Sequence, residues 1–73
     1  MLDIRRFVLY RQVDETGVSG VGTVAWGVEF PDGSAALRWA TERASTAIYA
    51  SMDDLEEIHG HNGSTRVIWI DVD

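Results

Sequence analysis

The chain has 73 residues, with twelve acidic residues against six arginines, no lysine and no cysteine, for a formal net charge of −6. The length makes a single domain, residues 1–73, which buries only about 60% of its unfolded surface, so the stability margin is thin and self-association is the expected supplement. The acidic balance argues against a duplex nucleic acid partner, the missing cysteines exclude a disulfide framework, and no apolar run approaches the roughly 20 residues of a membrane span.

Met1–Arg11 lacks the basic-then-apolar order of a signal sequence, and a soluble, cytoplasmic protein is expected. Arg5–Val13 (RRFVLYRQV) is rich in aromatic and β-branched residues. Phe7 and Leu9 fall on one side and Val8 and Tyr10 on the other, which predicts a strand apolar on both faces. Asp14–Gly22 holds three glycines among small polar residues and reads as a loop, able to act as a lid. Thr23–Phe30, Pro31-Asp32-Gly33 and Ser34–Thr41 read as a β-hairpin. Proline presets the first turn position, aspartate suits the second and glycine takes the positive φ of a G1 bulge. Pairing Phe30 with Ser34 puts Trp26 opposite Arg38 and Val28 opposite Ala36, and places Ala25, Gly27, Leu37 and Trp39 on the other face.

Ser45–Ala50 predicts a short strand, and Ser51 with Asp54 three residues on predicts the capped start of a helix over Met52–His59. Met52, Leu55 and Ile58 are its expected apolar stripe. Gly60 stops the helix, His61-Asn62-Gly63 turns the chain, and Thr65–Val72 predicts a final strand. The order β-β-β-β-α-β makes an α+β fold: a mostly antiparallel sheet of four or five strands with one short helix on one face. One helix leaves the second face uncovered, and a homo-oligomer is the expected cover.

Three readings of the chemistry compete. Arg38, Trp39, Arg43, Ser45 and Thr46 lie close in sequence, and Trp26 faces Arg38 across the hairpin. Guanidinium forks clamp phosphate, hydroxyls complete its oxygen contacts and indoles stack on bases. The same tryptophans also suit an ordinary core. His59-Gly60-His61 offers only two imidazoles and no cysteine, which falls short of a zinc site, and no activated nucleophile accompanies them; neither metal, cofactor nor catalysis is expected. Gly17, Gly20 and Gly22 have the wrong spacing for a dinucleotide loop and no following lysine, so a flexible connection is the reading of that segment. The lack of lysine fits codon bias as well as selection for the fork.

The runs TVAWGVEFPDGSAALRW and STAIYASMDDLEEIHGHNGSTRVIW resemble a family of short actinobacterial and phage proteins with the pattern VAxGVxFxDGxxALRW…IHGHxGxT. The resemblance implies a phage or prophage context and hence the host cytoplasm. By analogy it suggests the phage sponges that hold cyclic nucleotide signals between subunits. The leading expectation is therefore a non-enzymatic, homo-oligomeric binder of a cyclic nucleotide or related phosphate-bearing signal. Its site residues would be Trp26, Arg38, Trp39, Arg43, Ser45, Thr46 and His61. The alternatives are a module that inhibits or recruits a host protein through the exposed sheet face, and a small hydrolase using His59 or His61.

Overall fold

The computed structural model describes residues 4–12, 21–59 and 65–71. Its elements are β1 (Arg5–Arg11), β2 (Gly22–Glu29), β3 (Ala35–Trp39), β4 (Thr46–Tyr49), α1 (Met52–His59) and β5 (Thr65–Trp69), in the predicted β-β-β-β-α-β order. The five strands form one sheet in the order β4-β3-β2-β1-β5, and every neighbouring pair is antiparallel. The predicted turn over residues 60–63 and most of the predicted glycine loop lie outside the described residues; Gly22, assigned to that loop, opens β2 instead.

The hairpin forms as its turn residues dictate. Phe30 N donates to Ser34 O at 2.8 Å, Gly33 N donates to Phe30 O at 2.9 Å, and Gly33 takes a φ of 90°. Asp32 Oδ1 accepts from the Ser34 hydroxyl at 2.6 Å and from Ser34 N at 2.9 Å. These bonds, the hydroxyl foremost, hold the Asp32 carboxyl below its ordinary pKa. The resulting register pairs Trp26 with Arg38 and Val28 with Ala36, as expected.

Alternation then sorts the side chains. Phe7, Leu9, Ala25 and Leu37 point to one face and form the core with Met52 and Leu55 of the helix. Ser51 caps that helix by accepting from Asp54 N at 3.1 Å. The helical stripe differs from the expected one, because Ile58 is 60% exposed. At about 100° per residue, Ile58 sits some 120° around the helix from Met52, whereas His59 falls between Met52 and Leu55. The inward stripe is therefore Met52, Leu55 and His59. Among the described residues, no helix is long and apolar enough to cross a membrane.

The covered face owes its thinness to Gly27. Phe7 lies directly across from it on β1, with its ring over the glycine and the Trp69 ring edge-on at 5.3 Å. A Cβ at position 27 would fall on that ring. Gly27→Ala should therefore lower the stability measured by urea unfolding by about 1–3 kcal/mol. Adding Phe7→Leu should return part of the loss, and an unchanged midpoint for the single variant would contradict the contact.

Candidate functional site

The face away from the helix carries the candidate site. Ile68, Val8, Trp26, Arg38 and Thr46 form one continuous row across all five strands. A second row runs Arg6, Val28, Ala36 and Ile48. No helix of the described residues packs there, and Trp26 is 53% exposed, Ile48 70% and Ile68 41%. Trp26, Val28 and Ala36 floor a mostly apolar open groove of about 400 Å³, with Arg38 and Thr46 at one end and Arg6 and Ile70 at the other.

Arg38 Nη1 donates to Thr46 Oγ1 at 3.0 Å. A neutral hydroxyl orients the guanidinium without cancelling its charge. Glu29, on the adjoining strand β2, is bound by Arg5 at 3.1 Å. Arg5 in turn stacks on the Trp69 ring at 3.8 Å on the covered side. The ion pairs of the described residues are Arg5–Glu29 and Arg6–Asp71, so Arg38 faces no described carboxylate.

The other expected site residues separate. Trp39 belongs to the covered face, where it packs against the core with its ring edge-on to His59 at 5.0 Å. Arg43 and Ser45 are exposed in the β3–β4 connection, and the Ser45 carbonyl accepts from Trp39 N at 3.1 Å. His61 lies outside the described residues. The structure thus brings Trp26, Arg38 and Thr46 into one groove and puts Trp39 on the opposite side of the sheet.

Two features escaped the sequence reading. Arg6 reaches the groove because it shares strand parity with Val8; its clasp to Asp71 spans 65 residues and left no local signal. The clasp is tight: Asp71 Oδ2 accepts from Arg6 N and Nε, each at 2.9 Å, and Oδ1 accepts from Nη2 at 2.8 Å. The second feature is a cluster on the covered side, where Tyr49 Oη lies 2.5 Å from His59 Nε2 and the two rings meet edge-on at 5.5 Å. Burial pushes the Tyr49 hydroxyl above its ordinary pKa. Among the described residues, no group of three or more His, Cys, Asp or Glu side chains is placed to hold a metal.

The Arg6 clasp has a pH signature. The guanidinium hydrogen bonds foremost, then the Arg6 backbone N–H, lower the Asp71 carboxyl to about 2. A folded value below the unfolded one, about 3.9, gives stability that is full above pH 4 and lost as pH falls toward 2. Asp71→Asn should therefore unfold with a shallower acid dependence than the parent between pH 4 and 2, and identical acid limbs would refute the clasp.

Comparison with curated proteins and with solved structures yields no match. Residues 4–71, which include every described strand, the helix and both arginines of the groove, match the model of the Acb5 phage protein family. With that match running almost end to end, the chain belongs to the Acb5 phage protein family.

Proposed function

We propose that this phage protein acts against host defence by binding a cyclic nucleotide or related phosphate-bearing signal on its open sheet face. The observation that carries the reading is the exposed Trp26 indole on the groove floor, between Arg38 held by Thr46 and Arg6 held by Asp71. The indole offers a stacking surface for a base, and of the two guanidinium groups Arg38 supplies positive charge for phosphate while Arg6, its charge balanced by Asp71, adds N–H donors. Ideal sheet spacings put their backbones about 12 Å apart, within reach of one ligand spanning the groove. The apolar surface on either side remains open to solvent in a single chain. A second copy laid over it would enclose the ligand and make the protein a homo-oligomeric sponge that holds its signal without cleaving it.

Membership of a phage protein family supports the anti-defence setting. The short Tyr49–His59 contact favours a second reading, in which the bound signal is hydrolysed. A histidine of that kind can accept a proton from an attacking water or return one to a departing oxygen. The two readings share a ligand class and differ in its fate and its place, because His59 lies on the covered side of the sheet, away from the Trp26 groove.

Native mass spectrometry with a panel of cyclic di- and trinucleotides and cyclic ADP-ribose isomers separates them. An intact ligand mass on an oligomer, weakened about 10- to 100-fold in Arg38→Ala and to a similar degree in Trp26→Ala, is the expected result. Ligand recovered heavier by one water, with that product lost in His59→Ala, would replace holding by cleavage. A protein that ignores the whole panel would sink both and leave the apolar face to a host protein partner.

A further inference from the structure

β4 ends the sheet, and no described strand pairs with its outer side. An edge strand presents a row of open N–H and C=O groups, and proteins usually guard such edges with charge, proline or a bulge. Thr46-Ala47-Ile48-Tyr49 carries no charged residue and no proline, its register against β3 runs without a shift, and Ile48 is 70% exposed. The opposite edge is guarded, because β5 carries the exposed Arg66.

The ladder with β3 fixes which groups of β4 face outward. Trp39 N donates to Ser45 O at 3.1 Å, and Leu37 and Ala35 pair with Ala47 and Tyr49. Backbone groups alternate sides along a strand, so Ser45, Ala47 and Tyr49 turn theirs toward β3 while Thr46 and Ile48 turn theirs outward. This outward pair straddles Ala47 and is self-complementary. A two-fold axis through Ala47, perpendicular to the sheet, sets Thr46 of one copy opposite Ile48 of another, each such pair exchanging both backbone hydrogen bonds. The two Ala47 residues then meet as a non-hydrogen-bonded pair, about 4.5 Å apart at Cα. Charge agrees with this register. Carried past the strand, it places the exposed Arg43 across from Ser51 of the partner subunit, the cap of its helix, beside the exposed acids Asp53 and Asp54.

We infer that the protein pairs with a second copy of itself edge to edge through β4, joining two five-stranded sheets into one continuous antiparallel sheet. Both open faces lie on the same side of that sheet. Thr46, which orients Arg38 at one end of the Trp26 groove, gains Ile48 of the partner subunit as its neighbour. The partner thereby extends the wall of the groove, whatever ligand the groove holds.

The chain has no cysteine, so a single introduced one reports the register. Ala47→Cys should form a disulfide between subunits under mild oxidation, since the Cα separation suits one. In light scattering coupled to size-exclusion chromatography, the parent should be a dimer or a multiple of one. Ile48→Pro removes an outward N–H and no bond to β3, and should raise the dissociation constant about 10-fold or more. Arg43→Asp should weaken pairing several-fold, and adding Asp53→Arg should restore it; neither this swap nor the cross-link depends on Ile48→Pro folding. A monomeric parent would overturn the proposal. An oligomer in which Ala47→Cys stays reduced, and which is lost in Val28→Lys, would move the contact to the open face and overturn it equally.

Discussion

Among the described residues, one eight-residue helix has to cover a five-stranded sheet. Such a helix is about 12 Å long, while five strands span about 19 Å, so the helix can shield one face and no other described element shields the second. Most of the architecture follows from that shortage. The covered face is thinned with Ala25, Gly27 and Ala35 so that Phe7, Leu37 and Leu55 pack without a second helix. The open face keeps large apolar groups in water, and it is there that Trp26 stands between two arginines.

The same division sorts the charge. Asp53, Asp54, Glu56 and Glu57 ride on the outer surface of the helix, whereas Arg6, Arg38 and Arg66 share the parity of the open face. A chain of net charge −6 thus presents an arginine-bearing surface. The acidic helix lies on the far side of the sheet, so its field is weakened by distance and salt at the groove. Individual arginines are used differently: Arg5 stacks and pairs, Arg6 clasps Asp71, Arg11 is buried on a hydroxyl, and Arg38 is oriented by one. Planar forks suit all four tasks better than an ammonium would.

What could be read in advance was local. Pro31-Asp32-Gly33 set the turn, the turn set the register, and the register put Trp26 opposite Arg38. Ser51 marked the start of the helix for the same reason, since a cap acts within three residues. The helical stripe was misjudged at its end because three-residue steps drift around a 3.6-residue helix, which turned Ile58 outward and His59 inward. Nearness in sequence also suggested that Trp39 would join Arg38, yet adjacent strand residues point to opposite faces. The Arg6–Asp71 and Arg5–Trp69 contacts join the two ends of the chain and depend on β5 pairing with β1, which no short-range pattern announces.

The central claim is that the open face, floored by Trp26, is where this protein meets its ligand. The three tryptophans supply a built-in comparison, because Trp26 lies on that face while Trp39 and Trp69 pack against the core. A ¹H–¹⁵N NMR titration of the labelled protein with the cyclic nucleotide panel would follow all three indole N–H signals at once. The account predicts that the Trp26 signal shifts together with the Val28, Ala36 and Arg38 amides while the Trp39 indole stays in place. Movement of the Trp39 indole and His59 with Trp26 undisturbed would contradict it and transfer the site to the helix side of the sheet.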